Sequence, residues 1–596
     1  MLNKRKLNLR LRRVFRKKQR QAEDITIQTE EGFDKLVIRR LNRLTNVWRF
    51  VISWTMLVLL LCFVVIAQTR QVQTMFLSLQ PTSGGSYSEG VVGGYTNANP
   101  IYATDTADST ISRLLFSSLL TYDSSNKLVG DLAESWSVDD TDTVYSVKLR
   151  PSLKWHDGKD ITADDVVFTF DQIKNPDVKS PLFQSWHKTK VTKLDDLTVT
   201  FTLPAPFSPF IQGLTTGIIP KHVLVDTPAS QLRSALFNTT KPVGSGPFVW
   251  SALQTTGATL EETWQQISLK PYAGYHKGSP KLDEFIVKTY PSEDKLIDAY
   301  EAKEVDALVD IESIPEEVSK SSDTQIYQPT LTAEVLAFLR SDSDILNNVQ
   351  VRRALTQSVN IKSVVENLDS PVTIARGPFL ASQNEFSNDI SQLPFDIDAA
   401  NKLLDESGWV RPADGGTRQK SDGKLKLTVV AKDSKDQIDV LESLRGAWQK
   451  VGVEIESVTL KGTELQDRIN SRNYDVLLYG IAIGQDPDVF AYWHSSQFDP
   501  RSNPRFNFSN YKSKQADDAL VAGRSRTDKA LRAAKYKLFL EAWRGDAPAV
   551  ALYQPRLIYA APKSLVGFDA ETVNSAADRL ANVHNWTINK SLQPKK

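Results

Sequence analysis

The chain of 596 residues contains one cysteine, Cys62, which lies inside an apolar run. The folded remainder therefore has neither an internal disulfide nor a thiolate metal site. Histidine is scarce too. Six are present (His156, His187, His222, His276, His494 and His584), and no two follow a His-x-x-x-His spacing. No dedicated metal site and no cofactor is expected. No Gly-x-Ser-x-Gly nucleophile elbow occurs. Gly244-Ser245-Gly246-Pro247 lacks the Lys-Ser/Thr that a phosphate loop requires, so it reads as a turn leading into a strand. The adjacent acids Asp139-Asp140 and Asp164-Asp165 read as solvated caps, since a glycosidase pair cannot be recognised from spacing. The body carries no dense Lys/Arg stripe, so nucleic acid is not an expected partner. The chain is not expected to be an enzyme.

What is present begins with charge asymmetry. Residues 1–49 carry 15 Lys/Arg against 5 Asp/Glu, and the remainder carries 57 basic against 66 acidic residues. A basic tail and an acidic body commonly work in different surroundings. Between them, Phe50 to Ala67 (FVISWTMLVLLLCFVVIA) runs for eighteen residues without a charge, just long enough to span a bilayer. A cleaved signal peptide is disfavoured by the 49-residue stretch before it and by the lack of an Ala-x-Ala site after Ala67. Arg39, Arg40, Arg43 and Arg49 precede the run and Arg70 follows it, which places the N-terminus in the cytoplasm. The expected order is a basic cytoplasmic tail (1–46), a transmembrane helix (47–68) and a linker (69–84). Apolar positions in Asp34–Leu44 predict a juxtamembrane amphipathic helix. At this length two or three further domains are expected.

The body is organised around Gly130 to Phe170. Strand patterns at 135–138 and 144–149 precede the turn dipeptide Asp157-Gly158. Thr162 then stands three residues before Asp165, a capping-box spacing that opens a helix carrying Val166, Val167, Phe170 and Ile173 on one face. Further on, a strand at 282–290, a helix at 292–301 and a strand at 305–309 form a β-α-β unit. Helices at 399–407 and 438–451 alternate with strands at 425–430, 453–458 and 475–479, the pattern of an α/β lobe.

The ordered segments LAESW, KLRPSLKWHDG, ITADDVVFTF, PVGSGPF (242–248), VQVRRAL (349–355) and YDVLLYG (474–480), with Asp486-Pro-Asp488 behind, resemble a known family. It is the family 5 extracytoplasmic solute-binding proteins, which serve oligopeptide, dipeptide and nickel ABC importers. The resemblance spans 85–588. It implies a two-lobed periplasmic-binding-protein-like α/β fold of the large, three-subdomain form, with a ligand cleft between lobes. Lobe I would cover 85–330 with an extra subdomain at about 100–220. Lobe II would cover 331–484, and 485–596 would return to lobe I. The resemblance also implies a monomer working with separate ABC permease and ATPase subunits. His156 belongs to the family's turn motif and reads as structural.

Candidate ligand-binding residues are Tyr95, Asn97, Trp250, Trp409, Asp486, Asp488, Tyr492 and Trp493. The stretch from Gly480 to Trp493 leads this set because strand ends beside a crevice favour ligands. Peptide-binding relatives place an acid shortly before the Asp-Pro segment, where this chain holds Ile483 or Gly484. Asp486 or Asp488 could replace it. The expected function is capture of extracellular oligopeptides by a membrane-anchored binding protein. The alternatives are a non-peptide solute, or a ligand sensor signalling through the basic tail.

Overall fold

The computed structural model describes Lys17 and residues 47–259, 262–383, 388–421, 423–499, 501 and 505–594. The chain divides into two units, Met1–Gln80 with Lys590–Lys596, and Pro81–Asn589. In the first, Trp48–Phe76 is one helix. Its segment Phe50–Gln71 contains an 18-residue window with a mean hydropathy of 2.8, none of it buried, and is long and apolar enough to cross a membrane. The helix continues past Ala67 because Gln68 to Phe76 contains no Gly or Pro to stop it. The linker expected at 69–84 is thus a helix end followed by the strand Leu77–Thr82, which pairs with Asn589–Pro594. The expected basic tail and the helix at 34–44 lie outside the described residues, Lys17 excepted.

The second unit holds three principal sheets. A seven-stranded sheet runs in the order Thr324–Tyr327, Tyr559–Pro562, Ala307–Val309, Ser86–Val92, Glu284–Tyr290, Trp264–Pro271 and Phe248–Thr256. An antiparallel four-stranded sheet spans Ala133–Val138 to Thr198–Thr202. Both bury side chains in one continuous core that forms lobe I. Lobe II is a six-stranded sheet ordered Val372–Ile374, Ala549–Pro555, Ala333–Leu339, Val476–Ala482, Lys426–Lys432 and Glu454–Leu460. Its strands carry a separate core on each face. The alternation of Ala333–Leu339 explains this directly, since Val335, Ala337 and Leu339 enter one core while Leu336 and Phe338 enter the other.

Lobe II extends further than the sequence implied. The return to lobe I comes not at 485 but after Pro555, where the chain leaves Ala549–Pro555 for Tyr559–Pro562. The reason is burial. Lys514–Arg524 and Lys529–Asp546 pack Tyr536, Phe539 and Trp543 onto the same face as Leu336, Phe338 and Leu477. An Asp-Pro-Asp turn looks like a crossing in sequence, but here it feeds a helical layer of the same lobe.

The Thr162–Asp165 capping box forms as the spacing predicted, at the head of Ala163–Lys174. Gly158 takes a φ of +85°, as the turn requires. Gly244 and Gly246 serve a different purpose. A Cβ at these positions would lie 1.8 Å from the Leu115 carbonyl oxygen and 2.6 Å from that of Leu114. Only glycine lets this strand-leading loop touch the end of helix Thr106–Leu115. His156 locks the loop, accepting from the Gly244 N–H at 3.2 Å and donating Nε2–H to the Gly246 carbonyl at 3.0 Å. Burial pushes its pKa down to about 4.

At the centre of lobe I, Arg579 and Glu89 form an ion pair with both side chains fully buried. The Tyr559 hydroxyl donates to Glu89 at 2.6 Å. Breaking a buried pair by removing one partner strands the other charge. Arg579→Met is therefore expected to lower unfolding free energy by roughly 3–5 kcal/mol in urea titrations. His156 sets a pH dependence. Its folded pKa lies below its unfolded value, so its stabilising contribution is present above about pH 6.5 and is lost as pH falls toward about 4. The contribution is roughly 3 kcal/mol, and His156→Leu should flatten that part of the stability–pH curve.

Candidate functional site between the lobes

Two residues past the strand Val476–Ala482, Gly484 takes a φ of +81° and turns the chain. The N–H groups of Ile483 and Gly484 both donate to the Thr332 carbonyl, at 2.9 and 3.0 Å. This ties the strand end to the point where the chain enters lobe II. The turn that follows points Asp486 into a cavity of about 490 Å³. Lobe I contributes Trp136, Tyr145 and Gln212 to its wall, and lobe II contributes Gln383, Asp486 and Arg532. The lining is mixed, with aromatic faces opposite amide and charged groups.

Both acids of the turn are already engaged. Asp486 pairs with Arg532. Asp488 pairs with Arg524 at 2.7 Å. Burial pushes the Asp488 carboxyl above the usual range despite the Arg524 charge. The Arg524 guanidinium is also held between two rings, 4.7 Å from the Phe207 centroid and 4.1 Å from that of Phe490. Phe207 belongs to lobe I and Phe490 to lobe II, so this one side chain bridges the lobes.

Other contacts join the same two bodies. The Ser208 N–H donates to the Arg524 carbonyl at 2.8 Å, and the Thr527 hydroxyl donates to Asp142 at 2.7 Å. Asn126 donates to Gln485 at 3.0 Å and accepts from Asn574 at 2.7 Å. A further set joins Lys432 to Glu312 at 3.2 Å, with the Ser370 hydroxyl donating to the Glu312 carbonyl at 2.9 Å. The lobes are therefore closed on one another.

Of the eight residues singled out in the sequence, Asp486 lines this cavity and Asp488 anchors the turn beside it. Tyr95, Asn97 and Trp250 gather elsewhere in lobe I. The Tyr95 hydroxyl donates to the carbonyls of Asn238 and Thr239, and its ring packs 5.7 Å from Trp250. Asn97 is buried and accepts from the Asn99 N–H at 2.8 Å. Trp409 belongs to the core on the other face of lobe II, with Lys420 over its ring. Trp493 is fully buried and stacks on Phe338 at 5.4 Å. Tyr492 donates its hydroxyl to the Ala482 carbonyl at 2.7 Å and so braces the strand end. These aromatics were chosen for residue type, and packing claims most of them. Trp136 and Tyr145 sat in the strand pattern at 135–149 without a sign that they face a cavity. Gln383 and Arg532 carry no local sequence signal at all. Among the described residues no cluster of three or more His, Cys, Asp or Glu is placed to hold a metal.

A model of bacterial extracellular solute-binding proteins, family 5 (middle region), matches residues 127–501. The chain belongs to this family. The oligopeptide-binding protein AppA of Bacillus subtilis is 27% identical over 523 residues, covering 86% of this chain and 93% of AppA. The structure of AppA with a nonapeptide covers 85% of this chain and 99% of its own at a TM-score of 0.67 and 26% identity. The ABC transporter substrate-binding protein CtaP of Listeria monocytogenes gives a TM-score of 0.74 at 25% identity, covering 85% of this chain and all of CtaP (100%). The glutathione-binding protein GsiB of Pectobacterium atrosepticum is 25% identical over 80% of this chain and 89% of its own. The fold is that of the family 5 binding proteins, and the chain is a substrate-binding protein of an ABC importer. Members of this family bind solutes for permease and ATPase subunits and are not enzymes.

The bridging arginine yields a test. Arg524→Lys keeps a cation for Asp488 but loses the planar face that stacks between the two rings. The variant is expected to shift the closed–open balance by about 1–3 kcal/mol toward open. Small-angle scattering should read this as an increased radius of gyration. A radius equal to that of the parent contradicts the bridging role.

Proposed function

We propose that this chain captures oligopeptides outside the cell and delivers them to its permease, held to the membrane by the helix Trp48–Phe76. The observation that carries the reading is the cavity of about 490 Å³ between two lobes, walled by aromatic and amide side chains. Extended peptides are held by backbone hydrogen bonds, with roomy and wet spaces left for side chains. The amides of Gln212, Gln383 and Gln485 suit that chemistry. AppA, whose structure holds a nonapeptide, supports the same direction. The apolar helix and the arginines before it support an anchor with the N-terminus in the cytoplasm. Tyr145, Trp136, Gln212, Gln383, Asp486 and Arg532 are the residues proposed to meet the solute.

A second reading, a non-peptide solute, is favoured by one observation. Both acids of the 485–488 turn are occupied by arginines, so neither is free to hold a peptide amino terminus.

Native mass spectrometry on the full-length protein, purified in detergent from its own host, separates the two. Peptides released on denaturation are the expected result. A sugar or a metal complex in their place overturns the peptide assignment. So does an empty protein whose melting temperature is unmoved by a peptide library.

A further inference from the structure

Glu334 is the second residue of Ala333–Leu339, the strand by which the chain enters lobe II, and it stands opposite Ile481. It is 1% exposed, and neither carboxyl oxygen has a hydrogen-bond partner. Its neighbours on that face of the sheet are apolar, among them Leu336, Phe338, Ile481 and Phe379. Leaving an unpaired carboxyl in such surroundings costs several kcal/mol if it is charged, by order of magnitude. A leucine there would pack better, so packing alone does not account for the acid.

Glu334 also lines a cavity of about 260 Å³ together with Thr373, Arg376, Phe379, Leu380 and Gln554. This cavity neighbours the inter-lobe site through one bend of chain. The Leu380 N–H donates to Gln383 at 2.9 Å, and Gln383 in turn donates to the Gly484 carbonyl at 3.1 Å. Leu380 lines the smaller cavity, and Gln383 lines the larger. Asp486 and Asp488, the other acids near this junction, are matched by Arg532 and Arg524. Burial pushes the Glu334 carboxyl well above its ordinary value.

We propose that Glu334 and the cavity it lines form a subsite for a primary ammonium group of the bound solute. The inference rests on the oligopeptide reading, in which that group is the peptide's amino terminus or a lysine side chain. An ammonium entering the cavity supplies the three donors that the two carboxyl oxygens lack, and turns an uncompensated acid into a paired one. The cavity volume suits a chain of a few methylenes behind the charged head.

The test is calorimetric titration of the full-length protein in detergent with three alanine-based tetrapeptides. One has a free amino terminus, one is N-acetylated, and one is N-acetylated with a single lysine. The parent is expected to bind one of the two ammonium-bearing peptides about tenfold or more tighter than the acetylated neutral one. Which of them wins identifies the amino terminus or the lysine as the source. Glu334→Gln should bring all three within about twofold of one another. This variant is expected to fold, with a melting temperature at or above the parent's at pH 8. A buried carboxyl with a raised pKa costs stability as pH climbs above its unfolded value of about 4.5, and glutamine carries no such cost. Peptides that bind the parent equally, or a preference that survives in Glu334→Gln, overturn the subsite and leave the peptide reading standing. If no peptide binds, n-butylammonium chloride decides. A rise in parent melting temperature that Glu334→Gln lacks retains the ammonium subsite and removes the peptide reading, and no rise removes both.

Discussion

The second unit depends on a constraint of connectivity. Its seven-stranded and six-stranded sheets are joined by chain only where Leu331 leads to Ala333 and where Pro555 leads to Tyr559. The two crossings run side by side there, because Thr330 bridges antiparallel to Arg556 and the Leu557 N–H donates to the Pro329 carbonyl at 2.9 Å. Two adjacent crossings permit a bend between rigid bodies and leave the remaining inter-lobe surface to side-chain contacts. Such surfaces are bistable rather than continuously deformable, since each lobe is a packed core that moves as a whole. The contacts that close them are consequently few and polar. They include the Arg524 bridge, the Asn126–Gln485–Asn574 cluster and the Thr527–Asp142 bond. Polar contacts of this kind suit a protein that must release what it holds.

The distribution of buried charge follows the same division. Within lobe I the Glu89–Arg579 pair is closed on itself, with Tyr559 completing the carboxylate's hydrogen bonds. Near the junction the pattern changes. Asp486 and Asp488 are each paired, yet one Asp488 oxygen lacks a partner, and Glu334 lacks partners on both. Among the described residues, incomplete satisfaction of buried carboxylates is confined to these two near the junction. That is the expected place for it, because a group satisfied internally has nothing left to offer a ligand.

Local chemistry made much of the fold legible in the sequence. The Thr162–Asp165 box, the Asp157-Gly158 turn and the β-α-β unit at 282–309 are written in short spacings whose physical causes are local. The ordered motifs carried the family and its two-lobed plan. The lobe II boundary was misread because an Asp-Pro-Asp turn has the same local form whether it crosses to another lobe or enters a helix layer. Only the burial of Tyr536, Phe539 and Trp543 tells these apart. The site was the least legible part. Trp409 and Trp493 have the side chains expected of a ligand wall, but a large aromatic serves a core equally well. Gln383, Arg532 and Glu334 reach the junction through tertiary placement, which no spacing encodes.

The central claim is a solute cleft that opens and closes about the two crossings. Spin labels on exposed positions of the two lobes, Leu194 and Val410, in a Cys62→Ser background would measure the inter-lobe distance directly. The account predicts two distance populations in the unliganded protein. A tryptic casein digest should gather them into the shorter one, and Arg524→Lys should move them toward the longer. A single distance that neither the digest nor the substitution alters would contradict it.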